Sequence, residues 1–206
     1  MGTVQTDAVA RAMAVLERSA TMGVIVAAPT AGSAGVVPGC VLALADHLQL
    51  DDEQVMDALY CAAAIGLNLT TSACVAGAEG GCQAEVGAAS AMAAAALVEL
   101  RGGTAEQCAE AFAMALTNLE GLVCDPVAGL VEIPCIKRNV IGAMNAVSCA
   151  DMALAGVVGH IPADEVIDAM AEVGAAMSND LRETGIGGLA GTPTGKAIRD
   201  IVQMQG

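Results

Sequence analysis

The sequence predicts an all-α fold: a single compact bundle of Ala-rich buried helices joined by Gly-rich loops. Three observations predict it. Hydrophobic residues make up 55% of the chain, yet aromatics only 1%. The apolar mass is therefore Ala, Val, Leu, Ile and Met, and Ala, Leu and Met favour helix. Apolar residues recur at helical spacing between capping signals. Gly and Pro gather in a few long stretches that punctuate this pattern.

The first helix is expected over residues 6–21, with Val9, Ala12, Met13 and Leu16 on one face. "GVIVAAPTAGSAGVVPG" follows. Its Val-Ile-Val run resembles a strand, but the Gly and Pro after it favour a long structured loop. A helix over about 38–48 comes next. Asp51 or Asp52 can cap another that runs to about Leu67. "TTSACVAGAEGGCQAEVG" reads as a second Gly-rich loop, followed by a long Ala-rich helix over about 84–100.

Thr104 and Gln107 form a capping box for a helix ending near Leu119. "GLVCDPVAGLVEIPCIKRN" then breaks the pattern with two prolines and two cysteines. Helix resumes over about 136–155. Pro162 suits the first helical position of the next, with Asp164 and Glu165 favourable in its first turn, and that helix runs to about Met177. "GIGGLAGTPTG" is the last loop, and a short helix closes the chain. No repeat or linker divides residues 1–206, so one domain is expected. Long loops inside such a domain are usually functional.

Composition narrows the function classes. The net charge is −15, from 8 basic and 23 acidic side chains. Nucleic-acid binding needs a basic footprint, which is missing. The longest apolar candidate for a membrane span, "VGAASAMAAAALVEL", is bracketed by Glu85 and Glu99. It falls short of the roughly 20 residues a span requires. The N-terminus shows no secretory pattern. The expectation is a soluble cytoplasmic protein without a nucleic-acid or membrane partner.

Eight cysteines without an export signal argue against a disulfide framework. They leave buried thiols, metal ligands or a reactive thiol. With only His47 and His160 present, a His-based zinc site is poorly supplied. Both histidines are expected in solvent. Cys61, Cys108 and Cys149 lie in Ala-rich helical patterns, where a thiol acts as a small hydrophobe. Cys40 and Cys74 stay open. Cys82, Cys124 and Cys135 sit at backbone breaks where helix N-termini are expected. There a helix dipole and free N–H groups would lower the thiol pKa. Three such thiols without a histidine suit iron–sulfur ligation. Their spacing alone leaves a cluster, zinc and structural thiols all open.

These residues fall inside longer motifs: "SATMGVIVAAPTAGSAGVVPG", "GAEGGCQAEVGAASAMAAAALVEL", "GLVCDPVAGLVEIPCIKRN" and "ETGIGGLAGTPTG". Through them almost the whole chain resembles the α subunit, or α domain, of the bacterial iron–sulfur-dependent L-serine dehydratases. The resemblance implies a [4Fe–4S] cluster on Cys82, Cys124 and Cys135, with a fourth iron open to L-serine. That iron would act as a Lewis acid on the serine hydroxyl, giving pyruvate and ammonia.

Thr30, Gly32 and Ser33 in "PTAGSAG" offer hydroxyls and N–H groups for the substrate. Lys137 and Arg138 could balance cluster and carboxylate charge or equally be surface residues at a helix start, with Asn139 and Asn145 weaker candidates of that kind. No catalytic base is assigned. The resemblance associates one with a histidine of a β subunit or β domain, the expected partner. It also implies a preceding segment with a Ser/Thr-Gly-Gly loop, which these residues do not contain. No cysteine follows Cys149, so a C-terminal thiol on the open iron is not expected. Alternatives are a cysteine-desulfidase-like lyase, a non-catalytic iron–sulfur-binding fragment that needs a β partner, and a plain helical domain. Oligomeric state is not readable, although an uncovered apolar surface would favour a homo-oligomer.

Overall fold

The computed structural model describes residues 2–205. Among them it contains nine α-helices and no strand, so the all-α expectation holds. α1 (Thr3–Ala20) buries Ala8, Ala12 and Leu16, a stripe at four-residue spacing. Met13, expected on that face, is 38% exposed. It follows Ala12 by one residue, about 100° around the helix.

α2 (Val36–Leu48) packs close to α1 because glycine faces it. A Cβ at Gly35 would lie 2.3 Å from the Ala12 carbonyl oxygen, and one at Gly39 3.0 Å from that of Ala8. α2 starts earlier than expected. Pro38 falls in its first turn, where a missing N–H costs nothing. Residues 24–26 form no strand, as expected.

α3 (Asp52–Ser72) is capped by Asp51. Asp51 Oδ1 accepts from the Gln54 N–H at 3.0 Å, and Gln54 Oε1 accepts from the Asp51 N–H at 3.1 Å. The helix outruns its expected end at Leu67. Thr70 and Thr71 donate back to the carbonyls of Gly66 and Leu67 at 2.7 and 3.0 Å and so continue the helix. The expected second loop is therefore mostly helical. After residues 73–76 comes the short α4 (Gly77–Gly80). Cys82 then opens a π-turn (Gln83–Gly87) that runs directly into α5 (Ala88–Leu100).

α5 is the centre of the molecule. Every residue from Ala88 to Val98 is buried, and α2, α3, α6 and α7 surround it. A helix apolar on all sides has to be enclosed in this way, and its alanines allow neighbours on each side. α6 (Ala105–Thr117) carries the expected Thr104–Gln107 capping box. α7 (Cys135–Leu154) starts one residue before its expected limit. α8 (Ala163–Ala176) has Asp164 and Glu165 in its first turn, but Pro162 occupies the cap rather than the first helical position. α9 (Pro193–Gln205) starts inside the last Gly-rich stretch, where Gly188–Gly191 also forms a 3₁₀ turn.

By length and hydropathy alone, Ala31–Leu48 could cross a membrane. It consists of a 3₁₀ turn and α2, and 61% of it is buried inside the fold.

Candidate active site

Three chain segments bury Cys82, Cys124 and Cys135 as neighbours: Cys82 and Cys124 share a hydrogen bond, and the charge of Cys82 reaches Cys135. Cys82 follows Gly81, whose φ of +75° turns the chain into the π-turn. Next to it, buried Gln83 staples two segments together. Its Nε2 donates to the Met170 carbonyl at 2.9 Å, and its Oε1 accepts from the Gly121 N–H at 2.8 Å. Cys124 lies in extended backbone. Its N–H donates to the Leu181 carbonyl at 2.8 Å, and its carbonyl accepts from the Glu183 N–H at 2.7 Å. Cys135 is the first residue of α7. All three thiols are buried.

The expected lowering of all three thiol pKa values does not hold. A hydrogen bond from Cys124 lowers Cys82, against the effect of burial. The same bond raises Cys124, and burial adds to it. Burial pushes Cys135 up to about 12, helped by the negative charges of Cys82 and Glu85. Cys124 is not at a helix start at all. At Cys135, desolvation outweighs the helix dipole.

The donor set fits a soft iron group. Cys82 and Cys124 share a hydrogen bond, the charge of Cys82 reaches Cys135, and Gly77 lets backbone approach Cys124 closely. A Cβ on Gly77 would lie 3.1 Å from Cys124 Sγ and 2.7 Å from Glu85 Oε2. Arg138 also reaches Cys82 and favours its thiolate.

The "PTAGSAG" loop borders this place. Thr30 Oγ1 and Ser33 Oγ are 3.1 Å apart, and Thr30 Oγ1 donates to Glu85 Oε1 at 2.8 Å. Ser33 is fully buried. Asn139 ties this loop to α7. Its Nδ2 donates to the carbonyls of Gly32 and Cys135 at 2.8 and 2.9 Å, and its Oδ1 accepts from the Gly35 N–H at 3.1 Å. Asn139 is thus fully engaged with backbone and holds Gly32 in place.

Lys137 and Arg138, adjacent in sequence, differ. Lys137 is exposed. Arg138 is largely buried, pairs with Asp125 at 2.8 Å and donates to the Val123 carbonyl at 2.7 Å. Asn145, on α7, donates to Ser90 Oγ of α5 and the Ala115 carbonyl of α6, and its Oδ1 accepts from the Cys149 thiol. His47 and His160 are exposed, as expected.

Sequence reasoning missed two carboxylates. Asp125 is 3% exposed, and its Oδ2 accepts from the Leu189 N–H at 2.7 Å. Its place between Cys124 and Pro126 was the available signal. Glu85 reads from sequence only as the charged end of an apolar run. Its place three residues after Cys82 was the clue. Burial raises its pKa, against the Thr30 hydrogen bond, and nearby Glu183 adds to the rise.

A second donor group lies elsewhere. Cys61 Sγ, Cys108 Sγ and a Glu99 carboxylate oxygen lie within 4.8 Å of one another. Cys61 is only half-buried, which corrects its expected place in the core, whereas Cys108 and Cys149 are buried.

A family model described as "Serine dehydratase alpha chain" matches residues 1–190. The chain belongs to the serine dehydratase alpha chain family. Curated relatives agree. A "Probable L-serine dehydratase, alpha chain" from Latilactobacillus sakei is 58% identical over 196 residues, covering 95% of this chain and 94% of the relative. One of the same description from Bacillus subtilis (strain 168) is 58% identical over 197 residues, covering 96% of this chain and 66% of the relative. The "L-serine dehydratase, alpha chain" of Peptoniphilus asaccharolyticus is 51% identical over 199 residues, 97% of this chain and 68% of that one. This member of the serine dehydratase alpha chain family thus spans nearly all of one relative and about two thirds of the other two.

Proposed function

We propose that this chain is the cluster-bearing part of an L-serine dehydratase that converts L-serine to pyruvate and ammonia. Cys82, Cys124 and Cys135 would hold a [4Fe–4S] cluster. The observation that carries this reading is that these three buried thiols are neighbours: Cys82 and Cys124 share a hydrogen bond, and the charge of Cys82 reaches Cys135. When bound, the cluster supplies a Lewis-acidic iron that stabilises hydroxide as a leaving group.

The chain's own residues bind and orient. Arg138, held by Asp125, places positive charge next to Cys82 and offsets the negative thiolates. Asn139 fixes Gly32 in the loop that borders the substrate space. Thr30 and Ser33 offer hydroxyls to the substrate, and Ser33 is shielded from bulk water. Lys137, exposed at the start of α7, serves at most in long-range attraction of the carboxylate. Loss of the α-proton and of hydroxide leaves an aminoacrylate. Its imine tautomer takes up water and releases ammonia, leaving pyruvate.

A β subunit or β domain completes the enzyme in this reading. The relatives' "alpha chain" names support it. So do Met22, Val24 and Val26, which are 94%, 91% and 82% exposed just before the substrate loop. An apolar run left open in this way suits a docking partner. Free thiols and an acidic surface suit a reducing cytoplasmic setting.

Anaerobic reconstitution with iron and sulfide, followed by a pyruvate assay, tests the proposal. The expected result is serine-dependent pyruvate that rises when the β part is added. Turnover of cysteine in preference to serine would replace the serine assignment. Full activity without a β part would remove the partner.

A further inference from the structure

Glu85 is a half-buried carboxylate whose recorded hydrogen bond leaves one oxygen free. Thr30 Oγ1 donates to Oε1 at 2.8 Å. Oε2 faces Gly77 and the Cys124 thiol. Among the described residues no Lys, Arg or His pairs with Glu85: Arg11, Arg138 and Arg199 form the ion pairs, with Asp46, Asp125 and Asp200. The charge that reaches it from a distant segment, that of Glu183, is negative. Taking a carboxylate out of water without a cation is costly, and such a group persists where a cation arrives.

The backbone is shaped around this carboxylate. A π-turn, not an ordinary helical turn, presents Glu85, and such turns are frequent at functional sites. Two glycines from different segments let backbone pack closely against it. A Cβ on Gly32 would lie 3.0 Å from both carboxylate oxygens, and one on Gly77 2.7 Å from Oε2. A side chain at either position would push into the carboxylate and displace it.

We infer that Glu85 is the ammonium-binding residue of the site: it receives the α-ammonium of the amino-acid substrate, with Thr30 fixing its carboxylate. This rests on the proposed serine reading. The negative setting suits an ammonium at Glu85 and sends the substrate carboxylate towards the loop N–H groups or Arg138. A hydroxy acid with the same hydroxyl and carboxylate but no ammonium would gain nothing from Glu85.

The test is calorimetric binding of L-serine and of L-glycerate to the cluster-loaded protein, wild type and Glu85→Gln. Iron content and circular dichroism confirm that the variant is folded and loaded, and Glu85→Asp serves as the conservative rescue. Wild type should prefer L-serine. In Glu85→Gln, serine affinity should fall about ten- to hundredfold, the scale of a hydrogen bond to a charged group. Glycerate affinity should stay the same, and Glu85→Asp should recover part of the serine affinity. Unchanged serine affinity in Glu85→Gln, or an equal loss for both ligands, overturns the assignment while wild-type serine binding leaves the proposed function standing. Failure of wild type to bind serine overturns both.

Discussion

Arg138 Nη1 lies 2.8 Å from Asp125 Oδ1, and the pair is almost fully buried, with side chains 12% and 3% exposed. Asp125 follows Cys124 directly, and Arg138 is three residues after Cys135. The ion pair therefore clips together the two cysteine segments of the Pro-rich break. Asp125 also holds the Leu189 N–H, so the C-terminal Gly-rich loop is fastened to the same point.

Asp125→Ala should destabilise the protein by about 3–5 kcal/mol, because it leaves a buried guanidinium without its partner. Urea denaturation measures this. The double variant Asp125→Ala/Arg138→Met should lose less than Asp125→Ala alone. A loss below about 1 kcal/mol would show that the pair behaves as an exposed one.

Cys82→Ser, Cys124→Ser and Cys135→Ser should each abolish the absorption near about 400 nm expected of an iron–sulfur protein. Iron and sulfide content should fall with it. Cys61→Ser, Cys108→Ser and Cys149→Ser should leave both in place. Loss of metal on replacing Cys61 or Cys108 would move the metal site to the Cys61–Glu99–Cys108 group.

Asn139→Leu keeps the branched shape, with a larger volume, but removes three hydrogen bonds. Each buried backbone group left unpaired costs about 1–3 kcal/mol. The melting temperature should drop, and serine affinity should fall because Gly32 is released. Unchanged serine affinity in the folded variant would detach the loop from substrate binding.

Glu85 gives a pH test. Its folded-state pKa is raised above the ordinary 4.5, mainly by burial. The fold therefore favours the protonated form. That stability is fully present below 4.5 and is lost as pH rises through the raised value. Glu85→Gln mimics the protonated carboxyl. In denaturant melts of the cluster-free chain it should be more stable than wild type near neutral pH, with the gap closing as the solution is acidified. A gap that widens on acidification would contradict the raised pKa. The ionised carboxylate costs stability and serves binding, a trade common at functional sites.

Much of the fold was legible because it rests on local chemistry. The Asp51 and Thr104 caps sit where side chain and backbone can exchange hydrogen bonds within four residues. The Ala-rich run of α5 reads as buried helix by composition alone. Boundaries slipped where local signals conflict with packing. Thr70 and Thr71 look like loop residues but bond back into α3. Met13 fits a helical stripe on paper, but a narrow approach to α2 at Gly35 and Gly39 admits only Ala8, Ala12 and Leu16.

The site divides in the same way. The Gly-rich loops and the break at Pro126 and Pro134 are written in the sequence, because Gly and Pro have few other uses in a helical chain. The tertiary structure decided the rest. It turned Arg138 inward to Asp125 and left its neighbour Lys137 in solvent, since adjacent helical residues point about 100° apart. It gave Asn139 to the backbone. It buried Cys135 deeply enough for desolvation to outweigh a helix start. It also set Glu85 among Gly32, Gly77 and Cys124, residues 8 to 53 positions away in the chain. Such long-range meetings depend on which helix faces which, and no local pattern in the sequence encodes them.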